Sequence, residues 1–455
     1  MSAEANPDGH DTSLAGRLVK LASDPALRGI AGVFIMKGSI IVANFALIML
    51  AARVLDKVGF GVFSILFAAA GLFSVVASFG QNVSIMRWWN EYTADNDMET
   101  LKGALKFSTL TAASGCALVG TGFFIWAAST HALTLAAAVT LYMIGLAIVT
   151  TSAHLVRTAI GVGAGDGYGN LMISVPTLVY LATVLLCGWE GDISAIFFLF
   201  GAGACAATML HLVRMRRKIR RLLPDFSAAT PRYLTKEWRQ RSFKLWISSS
   251  LEAVNQYLDV LIIGYLLSPT VAGAYFVTTR LANIFATVSD TMHMFSTRHI
   301  PGLYYRREFK ELNSLLNSVA GITLTVTVLG LALILGSGQL LLGIFNEAYI
   351  PYYPALALLC VGTATITAGG PSGSILMLTG HEGRYLRVVA LSVLVRAAGF
   401  FLLIPTFGIM GAVAATTISF ILLTAMLRHS SKTLTGMDGS VLRLLGDRAA
   451  TAPIK

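Results

Sequence analysis

The feature that most constrains this chain is a series of twelve long apolar runs separated by short polar segments. An α-helix needs about 20 predominantly apolar residues to cross the hydrocarbon core of a bilayer. The runs cover residues 30–52, 59–86, 105–129, 132–155, 171–189, 193–213, 245–267, 271–296, 312–336, 355–379, 386–405 and 408–428. Only 13% of the residues are charged, against about 25% in soluble proteins. We therefore predict an all-α polytopic membrane protein with about 12 transmembrane helices.

Basic residues are distributed unevenly among the connections. Of the 34 lysines and arginines, 29 fall in the termini and in the connections that follow even-numbered spans, whereas only Arg53 and Lys57 fall in the others. Because basic loops stay on the cytoplasmic side, both termini are predicted to be cytoplasmic. Eleven basic residues lie at 214–244. Two interpretations of this segment remain open: a loop that sets topology, or a surface that gathers anionic lipid substrates.

The basic segment divides the chain into two halves of six spans each. The predicted organisation is a cytoplasmic N-terminal tail or interfacial helix (1–29), an N-terminal lobe (30–213), a basic cytoplasmic linker (214–244), a C-terminal lobe (245–428) and a cytoplasmic tail (429–455). A shift of 212 residues aligns Gly61 with Gly273 and Asn44 with Gln256. Since each half has an even number of spans, the repeat is parallel, and two lobes related by a pseudo-twofold axis should face one cavity.

Charged residues inside the predicted spans are the candidate site. With Lys106, Arg387 and Arg428, each at or next to the end of its run, counted among the connections, six remain, namely Lys37, Glu252, Asp259, Arg280, Asp290 and Arg396. Each costs about 2.5–3.5 kcal/mol at a helix centre, so each should face a cavity or a partner. Helical spacing places Glu252, Asn255, Gln256 and Asp259 on one face of span seven, and Arg280, Asn283, Thr287 and Asp290 on one face of span eight. The pattern predicts a polar vestibule most open to the cytoplasm.

Other interpretations of these residues remain open. Lys37 and Asp290 lie near span ends, where long or polar side chains can reach the interface. Glu252 could serve as a hydrogen-bond partner of a neighbouring helix, and Asp259 and Arg280 could pair with each other. Arg396 has no acidic residue in its own span, so it needs a ligand or an acidic neighbour.

Several function classes have no support in the sequence. It contains no metal-ligand spacing, nucleophile elbow, P-loop or dinucleotide fingerprint, so we expect no enzyme activity and no cofactor beyond a coupling H⁺ or Na⁺. The basic residues sit in connections rather than in a nucleic-acid-binding module, so no nucleic-acid partner is expected. The four cysteines lie in apolar segments without a CxxC pair, as is typical of packing residues.

Four stretches resemble one known family: KGSIIVANFALIMLAARVLDKVGFGVFSILFAAAGLFSVVASFGQNVSIMRWWNEY, LEAVNQYLDVLIIGYLLSPTVAGAYFVTTRLANIF, NEAYIPYYPALALLC and LTGHEGRYLRV. The chain resembles bacterial polysaccharide-repeat-unit flippases (Wzx-like) of the multidrug/oligosaccharidyl-lipid/polysaccharide exporter superfamily, over about residues 30–428. This resemblance implies a multi-pass protein of the bacterial inner membrane. It would move polyprenyl-(pyro)phosphate-linked oligosaccharide from the cytoplasmic to the outer leaflet by alternating access, for surface polysaccharide synthesis.

The resemblance also implies roles for the candidate residues. Lys37, Arg280 and Arg396 would bind the pyrophosphate, and Glu252, Asp259 and Asp290 would balance charge or bind a coupling ion. The glycan would contact Asn44, Asn255, Gln256, Asn283 and Thr287. Membrane lipids are expected partners, as are a polysaccharide polymerase and glycosyltransferases.

Three alternative functions remain open. Within the superfamily these are a cation-coupled multidrug antiporter and a lipid II flippase; the latter is less favoured because the first span has a lone Lys37 and no span follows the twelfth. Outside transport, the alternative is a membrane scaffold for glycan assembly.

Overall fold

The computed structural model describes residues 25–445 except 224, 285, 287–299 and 301, and it leaves out the side chains of 25–35, 37 and 222. Within these ranges the chain is helical and has no strand. The principal helices are α1 (Pro25–Val54), α2 (Lys57–Ala77), α3 (Gln81–Ala94), α4 (Met98–Thr130), α5 (Leu133–Ala159), α6 (Tyr168–Cys187), α7 (Ile193–Leu222), α8 (Asp225–Ala228), α9 (Thr235–Leu266), α10 (Pro269–Ala282), α11 (Phe309–Phe345), α12 (Tyr353–Ala368), α13 (Ser372–Leu378) and α14 (Glu382–Thr435). The predicted N-terminal and C-terminal tails therefore lie partly outside the described residues, at 1–24 and 446–455.

Eight segments of the described chain are long and apolar enough to cross a membrane. One of them, α14, joins two helices at Gly408, whose φ of 56° interrupts the helical backbone, so α14 accounts for predicted spans eleven and twelve. Another contains α12 and α13, which are separated at residues 369–371 and account for span ten. Large apolar side chains such as Leu186, Leu329 and Phe401 are exposed, as expected of a surface that faces lipid.

Successive spans alternate in direction, so the bundle has two distinct ends. Exposed Arg216 near the end of α7 and half-buried Arg384 at the start of α14 lie at one end, which we call the basic end. The turns from α1 to α2 and from α9 to α10 lie at the opposite end. The predicted second span, 59–86, differs from the structure, because Phe79 and Gly80 have positive φ values of 46° and 72° and separate α2 from α3.

The 212-residue repeat is visible in the helix bounds. Helices α1 and α9 end at Val54 and Leu266, and α2 and α10 begin at Lys57 and Pro269, so both pairs of positions are 212 residues apart. The residues before α2 and α10 also cap their helices in the same way. The Asp56 carboxylate accepts from the Gly59 backbone N–H, and the Ser268 hydroxyl accepts from the Val271 backbone N–H. Such a cap satisfies one of the unpaired N–H groups at a helix start.

The two halves meet at the opposite end through repeat-equivalent glycines. A Cβ added to Gly61 in α2 would overlap the Pro269 carbonyl oxygen, and one added to Gly273 in α10 would lie 3.1 Å from the Gly61 Cα. Backbones can approach this closely in membrane helices only where the side chains are very small. The contact closes the bundle at this end.

Aromatic rings fill the centre of the N-terminal half. Phe63 packs against Phe67, Phe197 and Phe200, with ring centroids 5.5–6.5 Å apart, and Tyr142 lies 5.0 Å from Phe200. Aromatic rings at these separations pack favourably and leave little free volume. The centre of the N-terminal half is therefore closely packed around Phe63.

The region expected as a linker, 214–244, is mostly helical. Helix α7 continues to Leu222 and α9 already begins at Thr235, which leaves 223–234 as the connection. Lysine and arginine are good helix formers, so a helix can continue past the bilayer in a basic segment. The start of α9 docks on the N-terminal half, where the buried Trp238 Nε1 donates to the Tyr92 hydroxyl over 2.9 Å.

Candidate substrate cavity

A cavity with two connected compartments lies within the C-terminal half. The inner compartment has a volume of about 260 Å³ and the outer one about 510 Å³. They share five lining residues on α9, α10, α12 and α14, namely Gln256, Asn283, Thr363, Ile366 and Phe420. The inner compartment also touches Ala68 of α2, so its wall includes one helix of the N-terminal half.

The cavity extends toward the basic end. The outer compartment is lined by the break between α12 and α13 at Gly369–Gly373, by Tyr385 in the first turn of α14, and by Leu427 near its end. At the opposite end, α2 and α10 are in backbone contact through Gly61. The described part of the chain is therefore in a conformation that is open toward the basic end.

An ion pair between α9 and α14 forms one wall of the inner compartment. Arg396 Nε lies 3.2 Å from Asp259 Oδ1, and both side chains are at least 90% buried. Arg396 Nη2 also donates to the Asn255 side-chain oxygen over 2.6 Å and to its backbone oxygen over 2.8 Å. The Tyr275 hydroxyl donates to Asp259 Oδ2 over 3.0 Å and lies 3.0 Å from the Thr416 hydroxyl oxygen.

This pairing resolves two alternatives left open by the sequence. Arg396 has an acidic neighbour, which is Asp259, and Asp259 pairs with Arg396 rather than with Arg280. A buried carboxylate and guanidinium are tolerated in low dielectric when they pair and their remaining polar atoms find hydrogen bonds. The pair needs no ligand to compensate Arg396 in this conformation.

Arg280 is differently placed. It lines the inner compartment, and its guanidinium carbon lies 4.8 Å from the centroid of the Phe276 ring, one turn earlier in α10. Among the described residues, no carboxylate lies within 4.0 Å of its nitrogen atoms, since none of the ion pairs found there includes it. Stacking on an aromatic face stabilises a cation but does not neutralise it. Arg280 thus gives the cavity a local positive charge.

The other predicted site residues are divided between the cavity and the rest of the molecule. Asn255, Gln256 and Asn283 line the cavity, and the Asn283 side-chain oxygen accepts from the Thr363 hydroxyl. Asn44 lies in the N-terminal half, where its side-chain oxygen accepts from the Ser174 hydroxyl, and it lines neither compartment. Glu252 is exposed on α9 and also lines neither compartment.

Three predicted site residues lie outside the described part of the chain: Thr287, Asp290 and the side chain of Lys37.

Two residues of the ion-pair network, Tyr275 and Thr416, were not among the candidates. Tyr275 had a signal in the sequence, because the 212-residue shift aligns it with Phe63 and so marks an added hydroxyl. Thr416 had none, because it is one of three threonines in the predicted twelfth span, and nothing in the sequence distinguishes it from Thr417 and Thr424. Within the described residues no group of three or more His, Cys, Asp and Glu side chains could hold a metal ion.

A family model described as polysaccharide biosynthesis protein matches residues 26–289, more than half of the chain. No curated protein matches the sequence. Three solved structures have a similar fold. The first is an inward-facing multidrug resistance MATE family transporter of the MOP superfamily, with 11% sequence identity, 88% of this chain and 97% of that chain covered, and a TM-score of 0.70. The second is an outward-facing conformation of a multidrug resistance MATE family transporter, with 12% identity, 89% and 94% of the two chains covered, and a TM-score of 0.61. The third is a MOP superfamily transporter from Pyrococcus furiosus Vc1 described as having a binding pocket of reverse polarity, with 13% identity, 90% and 95% of the two chains covered, and a TM-score of 0.61.

These likenesses confirm the predicted architecture of about 12 transmembrane helices in two lobes. They also confirm a multi-pass membrane protein. The chain has the fold of MOP superfamily transporters, and it belongs to the polysaccharide biosynthesis protein family.

Proposed function

We propose that this protein is a flippase that moves polyprenyl-(pyro)phosphate-linked oligosaccharides across the bacterial inner membrane, from the cytoplasmic to the outer leaflet. The observation that carries this proposal is Arg280, a cation that lines a membrane-embedded cavity and has no carboxylate within ion-pair distance among the described residues. A buried cation of this kind is costly unless it serves a ligand or a pathway. A phosphate group is a suitable ligand, because a guanidinium can donate two parallel hydrogen bonds to it.

The cavity lining suits a glycan next to that phosphate. Around the outer compartment, Gln256, Asn283 and Thr424 offer amide and hydroxyl groups, while Tyr385 and Phe420 add aromatic surface. Hydroxyl-rich ligands need such a mixture of hydrogen-bonding groups and apolar faces in a binding site. The lipid tail would remain in the bilayer beside the cavity, since a long apolar chain gains nothing by leaving it.

Asp259 and Arg396 form the second part of the proposed mechanism. A phosphate that enters the inner compartment competes with Asp259 for the Arg396 guanidinium, which lines the same space. If Arg396 turned to the phosphate, Asp259 would retain only the Tyr275 and Thr416 hydroxyls as partners. Uptake of H⁺ or Na⁺ by Asp259 would then restore neutrality. Lys37 and Asp290 keep their proposed roles in phosphate binding and charge balance, and Glu252 keeps its role in charge balance.

The direction of transport follows from the basic end. By the positive-inside rule this end faces the cytoplasm, so the present conformation would receive substrate from the cytoplasmic leaflet. Rocking of the lobes would then part the α2–α10 contact and open the opposite end. With the cell interior negative, outward movement of an anion is favoured by about 2.3 kcal/mol per charge per 100 mV.

The first test is depletion of the protein in its own host, followed by mass spectrometry of polyprenyl-linked glycans. The proposal expects one completed oligosaccharide to accumulate on its lipid carrier while the surface polysaccharide disappears. Unchanged lipid-linked glycans together with normal surface polysaccharide would refute the proposal.

Multidrug antiport is the second candidate, because two of the structures with this fold are described as multidrug resistance transporters. An antiporter for cationic drugs would need a free acidic residue in the cavity, whereas Asp259, the one carboxylate among the described lining residues, is paired with Arg396. Purified protein in liposomes separates the two functions: proton-driven uptake of a cationic dye would favour the antiporter, and movement of a lipid-linked oligosaccharide would favour the flippase.

A further inference from the structure

A groove lined by basic residues lies at the basic end, outside the cavity. The two limbs of α14, which fold back on each other at Gly408, enclose a space of about 410 Å³ between the start and the end of this helix. Its lining includes His381, Gly383, Arg384, Arg387, Thr433 and Leu434. We call this space the α14 groove.

The α14 groove is separate from the substrate cavity. Tyr385 lines the outer compartment of the cavity, whereas its neighbour Arg384 and the next-turn residue Arg387 line the groove. Residues one or two positions apart on a helix, as Arg384 and Arg387 are from Tyr385, project in different directions, whereas Arg384 and Arg387 are three apart and share a face. The first turns of α14 thus separate the two spaces, and the groove belongs to neither compartment described above.

The charges of the groove are of one sign. Three of its lining residues are basic (His381, Arg384 and Arg387), and none of its lining residues is acidic. Neither arginine forms an ion pair with a carboxylate in the described part of the chain. Such a cluster attracts an anion and has hydrogen-bond donors left to bind it.

The arginines are held in position by one nitrogen each. Arg384 Nε donates to the Ser430 hydroxyl over 3.0 Å, which also joins the two limbs of α14, and Arg387 Nε donates to the Gly383 backbone oxygen over 3.1 Å. Within the described part of the chain, the Nη atoms of both guanidinium groups have no hydrogen-bond partner and remain for a ligand. Gly383 leaves room, since a Cβ added there would meet nothing within 4 Å.

The surroundings indicate a lipid rather than a small soluble anion. The Tyr305 hydroxyl donates to the Leu378 backbone oxygen, close before the groove, and the tyrosine is 67% exposed. Exposed tyrosines with apolar rings and polar tips are typical of the level of lipid head groups. Leu434, 43% exposed, adds apolar surface at the groove itself.

We propose that the α14 groove binds the phosphate of an anionic lipid head group. The phosphate would contact Arg384 and Arg387, and the acyl or prenyl chain would run over Leu434 into the bilayer. A membrane phospholipid and a polyprenyl-phosphate compound share this chemistry. This site stands apart from the proposed phosphate contact at Arg280, so either can fail without the other.

The test is native mass spectrometry of the purified full-length protein in detergent micelles, titrated with phosphatidylglycerol. A basic residue near a lipid head group contributes about 1 kcal/mol, so Arg387→Gln should weaken binding about fivefold and Arg384→Gln/Arg387→Gln about 25-fold. Lys432→Gln is the matched control, because Lys432 is exposed in the last turn of α14 and does not line the groove. Its affinity should change less than twofold.

Competition distinguishes the sources of the phosphate. Displacement of phosphatidylglycerol by undecaprenyl phosphate but not by inorganic pyrophosphate would support a lipid head group of either kind, and displacement by inorganic pyrophosphate would overturn the requirement for a lipid. Equal affinity of the wild type and the double variant would overturn the site. Loss of binding in Arg280→Gln with full binding in Arg387→Gln would also overturn it, by placing the lipid in the cavity.

Discussion

At the scale of single residues, the two cavity arginines differ in what surrounds them. Arg396 is held by Asp259 and Asn255, whereas Arg280 is stacked on Phe276 and has no carboxylate within 4.0 Å in the described part of the chain. The two arginines therefore have different roles in the same cavity. Arg396 is part of a polar wall that is already neutral, and Arg280 is the cation available to a ligand.

Replacing Arg280 with Ala should abolish most of the transport while the protein still folds. Because Arg280 has no ion-pair partner among the described residues, its removal strands no buried carboxylate there. Loss of a charge-assisted contact of about 1.5–3 kcal/mol predicts a reduction of about 10- to 100-fold in transport rate. The measurement is surface polysaccharide in a deletion host at matched protein levels. Lys57→Gln, a charge lost at the opposite end, is the control; full export by Arg280→Ala would contradict the proposed phosphate contact.

Breaking the Asp259–Arg396 pair should destabilise the fold more than removing both partners. Asp259→Asn or Arg396→Gln leaves one buried charge unpaired, which costs about 3–5 kcal/mol. The double variant leaves no buried charge, so it should be more stable than the sum of the single effects predicts. Thermal unfolding of the purified variants measures this. Strictly additive losses would show that the two groups do not interact.

Sequence spacing anticipated part of this network. The positions of Asn255, Gln256 and Asp259 on one face of a helix follow from 3.6 residues per turn, and all three line the cavity. The partner of Asp259 could not be derived in this way, because Arg396 lies 137 residues away and the contact depends on how α9 packs on α14. That Arg280 has no carboxylate within 4.0 Å among the described residues could not be derived either, because Asp259 could equally have paired with it instead of with Arg396.

At the scale of helices, the α2–α10 crossing determines which end of the bundle is closed. Gly61→Ala should weaken this closure, because the added Cβ overlaps the Pro269 carbonyl oxygen and overpacking of this kind costs about 1–3 kcal/mol. Spin labels at the exposed Val58 and Glu347, which lie on different halves at the opposite end, should show a larger population at long distance by double electron–electron resonance. Gly122→Ala is the matched control, since a Cβ there meets nothing within 4 Å. An unchanged distance distribution in Gly61→Ala would show that this crossing does not hold the end closed.

The segment after α14, which we call the strap, packs against α11 and against the break between α12 and α13. Arg443 donates to the side-chain oxygens of Asn317 and Asn313 in α11 over 2.7 and 2.9 Å, and a Cβ added to Gly370 would overlap the Gly439 carbonyl oxygen. Gly370 lines the outer compartment. The strap, residues 436–445, therefore supports the break between α12 and α13 from outside.

Acid should loosen the strap. Burial raises the pKa of the Asp438 carboxyl, but hydrogen bonds from Arg428 and Ser440 outweigh burial and lower the pKa below its ordinary value of 3.8. A carboxyl with a depressed folded-state pKa contributes stability above its unfolded pKa, and this contribution is lost as the pH falls through the folded value. Asp438→Asn should therefore cost about 1 kcal/mol at neutral pH and less below pH 3.8. Thermal unfolding of wild type and variant across pH 3–7 checks this; an equal cost at every pH would contradict it.

The positions of the membrane-spanning helices could be predicted from hydropathy. The residues at which these helices begin and end could be predicted less well. The twelve apolar runs match helices or helix pairs wherever the chain is described, because each segment must satisfy its own backbone in lipid. The basic stretch 214–222 continues α7 instead of forming a loop, because water and head groups tolerate a charged helix. Hydropathy has no information about such extensions.

At the scale of the whole molecule, the two repeated halves carry different residues at equivalent positions. The repeat equivalents of Asp259 and Arg280 are Leu47 and Ala68, and the N-terminal half is filled with aromatic rings at the corresponding level. The C-terminal half therefore contributes most of the cavity lining, while the N-terminal half is closely packed at the corresponding level.

This arrangement predicts one-sided access to Gln256, which lines both compartments. In a variant with the four native cysteines (Cys116, Cys187, Cys205 and Cys360) replaced, Gln256→Cys should react with a membrane-impermeant maleimide in inside-out vesicles and far less in right-side-out vesicles. Lys57→Cys, at the opposite end, should show the reverse preference. The reverse result for Gln256→Cys would mean that the resting protein opens outward or is inserted in the other orientation.

The contact between Gly61 and Gly273 has a consequence for the symmetry of the molecule. Residues close to the twofold axis of a symmetric dimer meet their own copies, and here two repeat-equivalent glycines meet across the seam between the halves. The seam thus has the geometry expected of two identical six-helix subunits joined in one chain. A single chain can carry a charge such as Arg280 on one side of the axis without duplicating it on the other, which a homodimer cannot do.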